Sequence, residues 1–352
     1  MKIPIDKENR QEYYRLLEEV FDSNFWTEGK MVKRFEESFS KFTDLESLAF
    51  SNAGTALLAL FTFAGVKDHE VIIPANTFYA TTLASKMAGA KVVYADCNKE
   101  DLCISFNDIK RKTTSKTKAI CVVHIGGHIA FDIEEIASFC EKEGIYLIED
   151  CAHVHGATYN GKSAGSWGLG GAYSFYATKT MPLGEGGMIC SNNPDFIEWA
   201  KYFRNYGKKV DDGKVSYQIR NGFNYRMNEV TAALGIVQLK RLPEILIWKR
   251  NLAAKFDQIF HNRVIFPTGM MSGYYKYIVF DYDLSQETGK VFARSDLGPV
   301  IDGIKFDLPD SLWITEHHHC VPIWYGWEHA EESIAYIADL LIETAKTCGE
   351  DP

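Results

Sequence analysis

The chain has 352 residues, 46% of them hydrophobic and 24% charged, the balance of a globular protein long enough for a large domain with a smaller appendage. Acidic residues outnumber basic ones 47 to 38, and the net charge of -9 argues against nucleic acid or an anionic membrane as the main partner, though a local phosphate pocket stays open. No apolar run reaches the roughly 18 residues of a membrane helix, the N-terminus lacks the apolar core of a signal peptide, and eight scattered cysteines suit a reducing cytoplasm better than a disulfide scaffold.

Short apolar runs rich in β-branched residues recur at 71–74, 91–95, 119–124 and 146–150. Helical spacing lies between them; Ile133, Ile136, Ala137 and Cys140 fall at i, i+3, i+4 and i+7. Buried strands alternating with helices predict an α/β fold with a mainly parallel sheet covered on both faces. Ligands in such sheets bind beyond the carboxyl ends of the strands. Residues 165–187 carry seven glycines and Lys179. A long helix is expected over 228–242, ending near Pro243. Beyond it come a second helical stretch, an aromatic strand over 274–282 and a last helix over about 329–347. The expected division is a large domain of residues 1–242 and a small C-terminal α/β domain of residues 243–352.

Four features carry candidate chemistry, each with a plain structural alternative. Glu149-Asp150 closes a strand, at the mouth of the crevice; a lone acid there is more often a cap. Lys179 is ordinary if solvated, but an apolar, glycine-rich setting lets a lysine lose its proton and attack carbonyls. Asn52-Ala53-Gly54-Thr55 leads into an apolar helix, whose free N–H groups and Thr hydroxyl suit a phosphate; alone it is a capped helix. Asn224, Arg226 and Asn228 precede the long helix, as anion contacts, a cap or loop residues. Taken in this order, a phosphate cradle, an acid after a strand and a lysine in a glycine-rich stretch are what pyridoxal phosphate requires: the lysine forms the Schiff base and the acid keeps the pyridine nitrogen protonated.

The sequence resembles the DegT-type (DegT/DnrJ/StrS) sugar aminotransferases, which have the aspartate aminotransferase fold (pyridoxal-phosphate fold type I). The likeness runs from WTEG at 26–29 to about residue 242 and continues more faintly to the end. It is carried by AGTAL at 53–57, PANTFYAT at 74–81, EDCAHVHGA at 149–157, SFYATK at 174–179, GEGG at 184–187, RNYG at 204–207 and GFNYRMNE at 222–229.

The resemblance implies roles by position. Lys179 would be the Schiff-base lysine and proton shuttle, Asp150 the partner of the pyridine nitrogen, and His153 the neighbour of the cofactor's phenolic oxygen. Phe78 would stack on the ring. Gly54, Thr55 and Ser174 would hold the phosphate, joined by Asn224 from the partner subunit of a homodimer. Glu185, Tyr206 and Arg226 would face the substrate. The implied reaction moves an amino group, from glutamate, to a ketone of a nucleotide-linked sugar for surface-polysaccharide or glycoconjugate synthesis. Three departures are visible. Tyr206 stands where many relatives have His, Gly126-Gly127-His128 lacks the family's usual pattern, and the chain after Tyr282 is short.

Three rivals are weighed. A sugar dehydratase of the same family would have histidine in place of Lys179. A non-catalytic, regulatory relative would have little use for Lys179, Asp150 and the cradle together. A metal site on His317-His318-His319-Cys320, with His124, His128 or Cys121, is disfavoured because adjacent strand residues face opposite ways; no metal is expected. Trp324, Tyr325 and Trp327 are read as packing.

Overall fold

A computed structural model describes residues 4–211, 213–282, 289–305 and 307–326. The chain starts with α1 (Lys7–Ser23) and α2 (Lys30–Thr43). The α/β core then alternates β1 (Glu46–Phe50), α3 (Ala53–Phe63), β2 (Glu70–Pro74), α4 (Tyr79–Met87), β3 (Lys91–Ala95), α5 (Phe106–Lys112), β4 (Thr117–Val123), α6 (Ile133–Glu143) and β5 (Tyr146–Asp150). Two further strands, Gly170–Ser174 and Gly187–Ser191, precede α7 (Pro194–Phe203) and α8 (Glu229–Phe256). The apolar runs at 71–74, 91–95, 119–124 and 146–150 are therefore strands, two of them with the expected bounds.

Seven strands form one sheet in the order β1, Gly187–Ser191, Gly170–Ser174, β5, β4, β2, β3. Only Gly187–Ser191 runs against its neighbours; the other pairings are parallel. This polarity places the functional residues. β1, β2, β4, β5 and Gly170–Ser174 all end at the same edge of the sheet, and the segments after them, Ser51-Asn52, Phe78, Gly126-Gly127, Cys151-Ala152-His153 and Phe175-Tyr176, follow at that edge, where sheets of this kind form their ligand crevice. Helices α1, α2 and α8 pack together at one side. Glu229, buried at the start of α8, accepts hydrogen bonds from the backbone N–H groups of Gly29, Met31 and Val32 (3.0, 2.7 and 3.0 Å). A carboxylate thus satisfies donors that the first turn of α2 leaves open.

The helix does not end at Pro243. It begins as expected, with Asn228 capping Thr231 N–H at 2.8 Å, but α8 runs through Pro243 to Phe256. A proline inside a helix costs about 3 kcal/mol. Burial on both sides of it, at Leu239, Leu242, Ile245 and Leu246, outweighs that cost. The expected second helical stretch is therefore the same helix. A smaller apolar cluster starts further along, where Leu252, Phe256 and Phe260 pack on Tyr277, Val279, Val321 and Ile323. Its two strands, Tyr277–Phe280 and His318–Val321, pair antiparallel. The strand expected over 274–282 is confined to the first of these. The helix expected over 329–347, and Trp327, lie outside the described residues.

Candidate active site

Asp150, the last residue of β5, is buried at the crevice floor. Its Oδ2 accepts the Thr81 hydroxyl at 2.7 Å, and its Oδ1 accepts Ala152 N–H at 3.0 Å. Both bonds fix the direction of the side chain. The neighbouring Glu149 points the other way. It is fully buried and accepts Gly165 N–H (2.6 Å), Trp167 N–H (2.8 Å) and His124 Nε2–H (3.0 Å). The tautomer follows from the network, since His124 Nδ1 accepts Ala130 N–H at 3.1 Å. Of two adjacent acids, strand alternation sends one into structure and leaves the other at the crevice.

Lys179 lies on the loop joining Gly170–Ser174 to Gly187–Ser191. Phe175 closes the base of this loop by bonding Gly186 and Leu183 through its backbone, and Lys179 N–H donates to Tyr176 O at 2.9 Å. The Lys179 side chain reaches back so that Nζ sits 5.0 Å from the centre of the Tyr275 ring. Burial, reinforced by the nearby Lys276 charge and opposed by Asp150, pushes its ammonium down from 10.5 to about 8. His153 is buried with its imidazole stacked on Tyr275, ring centres 4.3 Å apart, and on Phe292 at 5.8 Å. Burial first, then the Lys179 and Lys276 charges, hold His153 well below its ordinary value, so it is neutral at pH 7. Its Nδ1 is buried with no hydrogen-bond partner among the described residues.

The small-residue turn before α3 forms at the same sheet edge. Asn52 caps the helix by accepting Thr55 N–H at 2.9 Å, and the Thr55 hydroxyl donates to Asn52 O at 2.9 Å. Ala53 and Gly54 remain as N–H groups outside the helical ladder. Gly187 presses on this turn: a Cβ there would lie 2.4 Å from the Asn52 carbonyl carbon. Ser174, buried at its strand end, receives Tyr176 N–H at 3.3 Å. Phe78 stands at the start of α4 with 63% of its surface exposed, an uncovered aromatic face at the crevice.

Asn224, Tyr206 and Arg226 form a second group. Asn205 and Asn224 make an antiparallel bridge, Arg226 Nη1 donates to Asn205 Oδ1 at 2.6 Å, and the Arg226 guanidinium lies 5.4 Å from the Tyr206 ring centre. Tyr206 is exposed, in the left-handed region at φ 57°, with Phe223 against its ring. Glu185 is exposed on the lysine loop. Among the described residues, no hydrogen bond, ion pair or ring contact links this second group to Lys179, Asp150 or His153 of the same chain. Thr81, Tyr275 and Lys276 escaped the sequence reading. Thr81 closes the stretch 74–81 and was within reach; Tyr275 and Lys276 lie in the aromatic run far from the other motifs.

His317, His318 and His319 do not gather on one point. His317 ends the helix Pro309–His317 and bonds Asp281, while buried His318 bonds Ile314 O and Val291 N–H. Two other clusters bring ligand atoms together among the described residues, Asp101–Cys103–His128 and His124–Glu149–Cys151. In both, the carboxylate already accepts backbone N–H groups, which gives each a structural occupation.

A sheet with this strand order and polarity, a loop lysine and an acid at the end of β5 define the aspartate-aminotransferase-like fold of pyridoxal-phosphate enzymes. The profile of the DegT/DnrJ/EryC1/StrS aminotransferase family matches residues 7–281, and the chain belongs to that family. GDP-perosamine synthase of Vibrio cholerae is 37% identical over 242 residues, 68% of this chain and 65% of that protein. The chain is thus matched to just under two thirds of the length of that relative. GDP-perosamine synthase of Caulobacter vibrioides is 30% identical over 328 residues, 92% of this chain and 84% of the relative. The aminotransferase TlmJ from Streptoalloteichus hindustanus has a solved structure that superposes with a TM-score of 0.87 at 25% identity, covering 97% of this chain and 98% of TlmJ.

Proposed function

We propose that the protein is a pyridoxal-phosphate-dependent aminotransferase that moves an amino group from glutamate to a ketone of a nucleotide-linked sugar, working as a homodimer with shared active sites. The observation that carries this reading is Lys179, partly buried against Tyr275 with its ammonium at about 8. One pH unit below such a value, about a tenth of the side chain is neutral amine, against about one part in three thousand for an unperturbed lysine. That is the nucleophile a carbonyl cofactor needs.

The remaining residues fit the cofactor. The Ala53 and Gly54 N–H groups with Ser174 suit its phosphate, exposed Phe78 suits one face of its ring, and the unpartnered Nδ1 of His153 suits a polar ring substituent. Asp150, held by Thr81 and Ala152, offers a fixed negative charge to the ring nitrogen. When bound, the cofactor supplies a conjugated electron sink. Lys179 would then carry the proton at the reacting carbon, Asp150 would keep the ring nitrogen protonated, and Tyr275 and Phe292 would exclude water from the His153 side. Tyr275 reaches the site from the segment that follows α8. Tyr206, Asn224 and Arg226, with no contact to Lys179 among the described residues of one chain, would serve the site of the partner subunit, and Glu185 would face the substrate.

Sugar nucleotides as acceptors rest on the names of the relatives. The test is a panel of nucleotide-linked 3-keto and 4-keto sugars incubated with ¹⁵N-glutamate. A labelled amino sugar from one of them supports the reading; no transfer to any, by protein shown to hold pyridoxal phosphate, contradicts it.

A further inference from the structure

Among the charged side chains lining the crevice, Lys276 has no role so far. Its backbone N–H donates to Gly126 O at 2.8 Å, which seats it just beyond the end of β4. In the sheet order, β5 separates that position from Gly170–Ser174, so Lys276 lies across the crevice from the phosphate cradle. Its Nζ is 5.3 Å from the centre of the Tyr275 ring, the ring that Lys179 Nζ approaches to 5.0 Å. The two ammonium groups are therefore no further apart than the sum of those distances. Among the described residues no carboxylate pairs with Lys276, and its charge presses on Lys179, His153 and Lys249 alike. Lys249, itself buried, donates to Tyr274 O and Ile323 O, both at 2.9 Å, and gives Lys276 no counter-charge. The Lys276 side chain also borders a cavity of about 220 Å³ beside His128 and Tyr274, which leaves it room to turn.

A half-buried cation whose charge acts against the reactive amine, with no ion-pair partner among the described residues, is open to an anion. We propose that Lys276 receives the distal carboxylate of the amino donor and so selects a dicarboxylic amino acid over its amide. This rests on the aminotransferase reading above. An extended five-carbon donor separates amine from distal carboxylate by about 5 Å, within the upper limit that the two ring distances set. A charge-assisted hydrogen bond of about 2.8 Å to Lys276 completes the span.

Two measurements test this. In cofactor-free protein, the pH dependence of Lys179 modification by acetic anhydride is followed by mass spectrometry, with and without glutarate, a dicarboxylate lacking the amine. The groups acting on Lys179 are Asp150, Lys276, His153, His155 and the Tyr275 ring. Glutarate seated on Lys276 adds negative charge beside Lys179, so the midpoint should rise in the wild-type protein. In Lys276→Gln it should start higher and not respond. In holoenzyme, the amino-donor half-reaction is followed by the cofactor's absorbance. The wild-type preference for glutamate over glutamine should fall about tenfold or more in Lys276→Gln, the loss of one charge-assisted hydrogen bond, and return in Lys276→Arg. An equal glutarate response in wild type and Lys276→Gln, no response in either, or an unchanged donor preference overturns the proposal. A glutarate response confined to wild type, in a protein that takes an amino group from no donor, would uphold the anion seat and reject the aminotransferase reading.

Discussion

Replacing Asp150 by Asn separates charge from shape. The carboxylate has two partners, Ala152 N–H on Oδ1 and the Thr81 hydroxyl on Oδ2. The amide satisfies both, with its oxygen toward Ala152 and its NH₂ toward Thr81, because a hydroxyl can turn to accept. The fold should survive and the negative charge should not. Opposite charges about 4 Å apart at an effective dielectric near 20 are worth about 4 kcal/mol. That is about three pKa units at the ring nitrogen, so turnover should fall about a thousandfold if the whole interaction is felt in the transition state. Lys179 should move the other way on the same substitution. Asp150 is the group that raises its ammonium against burial, so in Asp150→Asn the midpoint drops below about 8 and more of the amine is neutral. A slow variant with a more readily modified Lys179 therefore locates the defect at the ring and not at the nucleophile. The assays are steady-state turnover and pH-dependent labelling of Lys179 in cofactor-free protein. Turnover within tenfold of wild type, or a Lys179 midpoint that rises, would refute the reasoning.

Other residues give separate outcomes. Gly187→Ala sets a Cβ 2.4 Å from the Asn52 carbonyl carbon and should weaken cofactor binding tenfold or more, measured by equilibrium dialysis. Glu229→Ala orphans three N–H groups at the start of α2 and should lower stability by about 3 kcal/mol in urea unfolding, with Glu229→Gln milder. For the shared site, Lys179→Ala and Asn224→Ala proteins refolded together should regain about a quarter of wild-type activity, because half the dimers are mixed and half of their sites are intact. Activity no higher than that of the parents in proven hybrids would assign Asn224 to its own chain.

The sequence carried the sheet and the chemistry of its strand ends further than it carried their support. β3 and β5 were readable to the residue because both are short, apolar and bounded by polar turns. Asp150 and Lys179 were legible because each residue type is unusual in its setting. Their supports were not. Thr81 meets Asp150 across 69 residues and His124 meets Glu149 across 25, and no local pattern encodes such pairings. Tyr275 read as one aromatic in a strand, and only the fold brings it onto His153 and Lys179. Pro243 misled for a physical reason. Proline is a strong local stop signal, but packing along α8 overrides it. Asn224, Tyr206 and Arg226 were legible through resemblance, and in a single chain they keep company with Asn205 and Glu28 instead of Lys179.

The central claim is that Lys179 is the residue to which pyridoxal phosphate attaches. Protein loaded with the cofactor, reduced with borohydride, digested and mapped by mass spectrometry tests it directly. The account predicts the pyridoxyl label on Lys179 and its absence from the Lys179→Ala protein; label found mainly on Lys162 or Lys201 would contradict it.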